Sequence, residues 1–93
     1  RDTEILDAIR YHTTGRPNMT VLEKVIYLAD FIEPGRNFPG VDEIRKLSMK
    51  DLNEAVIAAL ESTIEHLNRS NRRIHRSTLE SRDYLIMERN TEI

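Results

Sequence analysis

A chain of 93 residues suits one small domain or part of a larger one, and with 39% hydrophobic and 32% charged residues in periodic order it is not disordered. The formal net charge of −2 gives no global pull toward nucleic acid or anionic membrane, and the absence of cysteine excludes disulfides and thiolate metal sites. No apolar run nears the roughly 20 residues of a membrane span and no signal peptide stands out, so neither nucleic acid nor membrane is an expected partner and the cytoplasm is the default location.

The elements all read as helix, and the fold class is all-α. The chain starts at Arg1 and enters a helical pattern almost at once, which reads as part of a longer protein. Asp2 or Thr3 is placed to cap a first helix whose apolar residues Ile5, Leu6 and Ile9 share a face, with His12 near its end. It should stop near Thr13-Thr14, because Gly15 and Pro17 follow. Thr20-Val21-Leu22-Glu23 has the form of a capping box, with Thr20 as N-cap and Glu23 three residues on. The helix it opens carries an apolar stripe of Leu22, Val25, Ile26, Ala29 and Ile32, and Pro34-Gly35 ends it.

A turn-rich loop from Arg36 to Gly40 leads to a short helix with Val41, Ile44 and Leu47 at three-residue spacing. Ser48 to Asp51 should cap the longest helix, running to about Asn68 with Leu52, Ala55, Val56, Ala59, Leu60, Thr63, Ile64 and Leu67 inward. After the break at "NRSNRR", Ser77-Thr78-Leu79-Glu80 offers one more capping box for a final helix with Leu79, Tyr84, Leu85 and Met87.

Several residues could carry chemistry. Asp30 lies between Leu28-Ala29 and Phe31-Ile32, near a helix C-terminus where the dipole disfavours negative charge. Buried there without a partner, a carboxylate is costly, so two readings follow: an ion pair with a lysine or arginine, or a ligand to a divalent cation. His12, at the end of the first helix, suits either loose carbonyls or a metal or phosphate. Thr13, Thr14, Gly15 and Arg16 form a polar turn able to hold phosphate. Arg36 could return toward the Asp30 end of its helix, and its fork suits phosphate. The run "RSNRRIHR" sets Arg69, Arg72, Arg73, His75 and Arg76 together, either against phosphate or as a solvated loop balanced by Glu61, Glu65 and Glu80. No aromatic residue interleaves with it, which argues against a single-strand stacking platform.

Together, "AIRYHTTGRPNMTVLEKVIYLADFIEPGRNFPGVDEIRKL", "AVIAALESTIEHL" and "RRIHRSTLESRDYL" resemble the C-terminal half of bacterial HD-domain proteins of the YqeK type, symmetrical diadenosine tetraphosphate hydrolases. The resemblance implies an HD helical bundle, with residues 1–93 as the C-terminal portion of a single domain. It implies that Asp30 is the late aspartate of the metal site. The first histidine and the His-Asp dyad of such sites do not occur here, since His66 precedes Leu67 and His75 precedes Arg76, and would lie upstream of Arg1. It further implies that His12 faces the substrate phosphates or a second metal and that Arg36 meets the nucleotide phosphates. The stretch from His75 to Thr78 would close over the nucleotide, with Arg76 where proline is common. Iron or another divalent ion, a homodimer, and a dinucleoside polyphosphate or ADP as ligand complete the implication. The chain by itself should be inactive and prone to associate through its Ile5–Ile9 and Leu22–Ile32 faces. A nucleotide-binding HD fold without turnover and a purely helical interaction domain are the other classes the residues allow.

Overall fold

The computed structural model describes residues 2–91. The described residues form five helices and no strand: α1 (Asp2–Arg10), α2 (Val21–Phe31), α3 (Val41–Ser48), α4 (Leu52–Arg69) and α5 (Arg76–Thr91). The eighteen residues of α4 make a rod about 27 Å long. Helices α2, α3 and α5 all pack on it, whereas α1 packs chiefly on α2. Ala55, Val56, Ala59 and Leu60 give α4 a face with no solvent exposure. The two alanines on it leave room for neighbouring backbones to come close, and Tyr27, Leu28, Ile44 and Leu85 from the other helices complete the core.

Local chemistry explains the helix ends. The Thr20 hydroxyl accepts from the Glu23 amide at 3.1 Å, and the Glu23 carboxylate accepts from the Thr20 amide at 2.9 Å, so the capping box forms as its spacing predicts. Helix α1 ends at Arg10, three residues short of the expected stop. The chain then turns through Tyr11–Thr14 because Gly15 adopts φ +72° and donates its amide to the Tyr11 carbonyl at 2.8 Å. Thr3 lies inside α1 and is not its cap, and the side chain of Asp2 lies outside the described residues.

Two expected caps are corrected. Ser48 is the last residue of α3 and its hydroxyl donates to the Arg45 carbonyl, while Asp51 itself is the N-cap of α4, accepting from the Glu54 amide. At α5 the Ser77 box does not form. His75 takes the place of a cap, its Nδ1 accepting from the Ser77 amide at 3.1 Å, and Thr78 sits buried one turn into the helix.

The inward face of α2 also differs from the expected stripe. Val25 and Ala29 are exposed, and the buried positions are Glu23, Tyr27 and Leu28. Burying two aromatic rings outweighs burying valine and alanine, because each ring removes more apolar area from water. Tyr27 stacks on Phe31 at 6.2 Å between centroids, and Phe31 meets Phe38 edge to face at 5.1 Å. That choice turns Val21, Val25 and Ala29 outward.

Candidate functional site

The C-terminal end of α2 is held by Arg45, a residue that sequence periodicity does not single out. Its guanidinium donates to the carbonyls of Ile32, Glu33 and Arg36 at 3.1, 3.0 and 2.8 Å, and to Asp42 at 3.1 Å. One side chain from α3 thus satisfies loose carbonyls at the end of α2 and fixes the Pro34-Gly35 turn. The only sequence signal for it is an arginine one turn after an acidic helix start that faces a Pro-Gly break.

The clamped turn brings Arg36 back to Asp30, as its spacing suggests. The guanidinium lies 3.4 Å from the carboxylate, and the two side chains are 45% and 48% exposed. Asp30 is therefore not desolvated among apolar neighbours. Its position in the helical turn points it past Phe31 and Leu28 to solvent, and an ion pair compensates the unfavourable helix end.

The turn between α1 and α2 is built differently. Arg16 makes a two-pronged contact with Glu23 at 3.0 and 2.6 Å, approaches Asp7 at 3.7 Å, and lies over the Tyr11 ring at 4.8 Å. Glu23 is 1% exposed, so this is a buried carboxylate neutralised by one guanidinium. The hydrogen bond to Glu23 raises Arg16 above even the usual arginine range. The guanidinium holds the turn through Glu23. Thr78 is buried, and its hydroxyl donates to the Thr14 carbonyl at 3.0 Å, tying the start of α5 to the same turn.

His12 remains accessible. Its Nδ1 bonds the Ile9 carbonyl, which only accepts, so Nδ1 carries the proton and Nε2 is the atom left for a ligand. Thr13 is exposed beside it. Arg73 and His75 line a shallow surface with Ile74 and Arg76.

Arg16 binds Asp7 and Tyr11 to Glu23 in the first turn of α2, and Asp30 lies seven residues further on, about 10 Å along the axis. No three His, Asp or Glu side chains converge on a metal position among the described residues. Asp30 can supply one hard oxygen ligand; the donor set present does not by itself fit a complete divalent metal site.

Beside the Asp30–Arg36 pair opens a pocket of about 510 Å³ between the end of α2, the loop to α3 and the last turns of α4. Phe31 and Phe38 form its apolar wall, with Arg36, His66 and Arg69 around them. His66 and Arg69, both exposed on the last turns of α4, share this cavity with Phe38.

Over 86 residues the chain is 54% identical to the symmetrical bis(5'-nucleosyl)-tetraphosphatase of Bacillus subtilis. It is 51% identical over 87 residues to the protein of that name from Halalkalibacterium halodurans, and 40% over 85 residues to that from Staphylococcus aureus. These alignments use 92%, 94% and 89% of the chain. A crystal structure from Clostridium acetobutylicum, described as a predicted HD superfamily hydrolase involved in NAD metabolism, superposes with a TM-score of 0.90 at 50% identity over 95% of the chain. The fold is that of one part of an HD-superfamily hydrolase. The chain spans 46%, 46% and 44% of the length of the three relatives and 47% of the structural neighbour. No family model matches it.

Proposed function

We propose that residues 1–93 are the C-terminal portion of a single HD-type domain in a metal-dependent phosphohydrolase that cleaves diadenosine tetraphosphate symmetrically, water and the dinucleotide giving two ADP. The observation that carries this reading is the 54% identity, across nearly the whole chain, to a protein named for that reaction. The end of α2 supports it, since it presents a carboxylate and a guanidinium together on a turn clamped by Arg45.

In this reading Asp30 contributes one ligand to a divalent ion, which we take to be iron, and the remaining ligands come from outside residues 1–93. The bound ion supplies Lewis-acid polarisation of phosphate and a lowered pKa for water. Arg36 binds phosphate: its 3.4 Å contact to Asp30 is longer than a well-formed charge-assisted bond, so a phosphate can take over the guanidinium fork. Arg45 keeps the turn rigid, so that Arg36 offers its charge without reorganising the backbone. His12 offers Nε2 to a phosphate group of the same long substrate. Thr13, Arg73 and His75, all on exposed segments, extend the phosphate-facing rim, and the working unit is a homodimer in the cytoplasm.

The test is ADP release from diadenosine tetraphosphate with added iron, run on the full-length protein that carries this chain and on residues 1–93 alone. Turnover by the former, with none by the latter, supports the reading. Turnover by residues 1–93 as a monomer in light scattering contradicts it.

A further inference from the structure

We infer that Thr78 is a positioning residue: through its hydrogen bond to the Thr14 carbonyl, α5 sets the turn that presents His12. The inference rests on the hydrolase reading for what His12 meets, while the latch itself has a readout that needs no turnover.

His12 lies in the turn from Tyr11 to Gly15, which the Gly15 amide closes by donating to the Tyr11 carbonyl at 2.8 Å. Helix α1, just before it, packs chiefly on α2, so α1 does not by itself tie His12 to the core that α4 organises. Helix α5 supplies that tie. Its body is fixed to α4 by the buried Leu85 and by Arg89, which meets Glu54 at 3.0 Å. Its start is fixed locally, since His75 accepts from the Ser77 amide and the Thr78 amide donates to the His75 carbonyl at 3.0 Å. Thr78 and Ser81, three residues apart, share the face of α5 that meets the turn. Thr78 is 3% exposed and its hydroxyl reaches the Thr14 carbonyl. Ser81 is fully buried, its hydroxyl has no hydrogen-bond partner among the described residues, and it packs against Gly15. Ser81 thus fills space under the turn, and Thr78 is the hydroxyl of the pair that bonds it. The bond fixes the direction of a peptide two residues from His12, while the Ile9 carbonyl holds the His12 ring through Nδ1 from the α1 side. Held from both sides, Nε2 is oriented before a ligand arrives, so binding need not order it. Removing the Thr78 donor leaves the part-buried Thr14 carbonyl unsatisfied, which loosens the turn without touching the α4 core.

The test compares Thr78→Val, which keeps the shape without the hydroxyl, and Thr78→Ser, which keeps the hydroxyl, in the full-length protein that carries this chain. Amide exchange and ring-nitrogen resonances are read with metal removed by chelation. Thr78→Val should speed exchange of the Gly15 amide about tenfold and shift the ring resonances of His12, while the Leu60 amide and the His66 ring stay as in the native chain. With metal present, kcat/KM for diadenosine tetraphosphate should fall by about the same factor, and Thr78→Ser should restore all three readouts. Protection lost evenly across the chain, Leu60 included, makes Thr78 a residue of stability alone and overturns the inference. Native His12 resonances in Thr78→Val overturn it as well. His12 resonances that shift in a protein unable to turn over diadenosine tetraphosphate overturn the hydrolase reading and leave the latch standing. Turnover of that dinucleotide with native His12 resonances in Thr78→Val does the reverse.

Discussion

The inner and outer faces of α2 belong to one eleven-residue helix and meet opposite surroundings. The inner face carries Glu23, Tyr27 and Leu28 against α4 and the α1–α2 turn, with every large group packed or paired. The outer face carries Val21, 67% exposed, and Val25, and α1, which packs on α2, also exposes Ile5, Leu6 and Ile9, with Leu6 64% exposed. Hydrophobicity alone would place these faces the other way round, since the outer one holds the valines and the inner one a carboxylate. What decides is pairing and area: Arg16 neutralises Glu23, and the aromatic rings remove more surface from water than β-branched side chains do. The outer face is as apolar as a core face, and it accompanies a chain that spans less than half of its relatives.

The contrast is sharpest for leucines. Leu60→Ala on α4 removes a side chain with no exposure and should cost about 4 kcal/mol, whereas Leu6→Ala should change stability by less than about 0.5 kcal/mol. Denaturant unfolding of both variants measures the difference, and similar losses would show that the outer face is packed after all. Next in size, Arg16→Ala leaves Glu23 buried without its counter-charge and should cost about 3 kcal/mol. Arg36→Ala, at a half-exposed pair, should cost under about 1 kcal/mol in the same assay.

Tyr27 makes the inner face pH-sensitive. Burial pushes its phenol from 10.0 up to about 12, with a hydrogen bond to Thr63 pulling the other way. A raised folded pKa means that this contribution is complete below pH 10 and is lost as pH climbs from 10 to 12, by roughly 2 kcal/mol. Thermal melts across that window should show the loss in the native chain and a flatter profile in Tyr27→Phe. The turn is tested at its glycine: an alanine at Gly15 must hold φ +72° with its Cβ 2.9 Å from the Ser81 hydroxyl, for a loss of about 2 kcal/mol of stability in denaturant unfolding.

Much of this was legible in the residues. The all-α class, the Thr20 box, the extent of α3 and the inward row of α4 follow from spacing and caps, because each is set within one or two turns. The return of Arg36 to Asp30 followed from its place six residues on, just beyond the Pro34-Gly35 break. The burial of Glu23 did not, because its partner Arg16 lies in a turn whose course depends on Gly15 packing over Ser81. Nor did the solvent exposure of Asp30: flanking residues in sequence do not share a helical face, and the orientation of α2 is chosen by its aromatic rings. Arg45 and the His66–Arg69 side of the pocket were silent for the same reason, since they act across helices that only tertiary packing brings together.

The role of the α2 end is tested most directly by Asp30→Ala in the full-length protein, with metal content and ADP release measured on the same sample. Asp30 is exposed and outside the core, so the variant should fold with an unchanged melting profile while losing both bound metal and turnover. A folded Asp30→Ala protein that retains its metal and still releases ADP from diadenosine tetraphosphate would contradict the assignment.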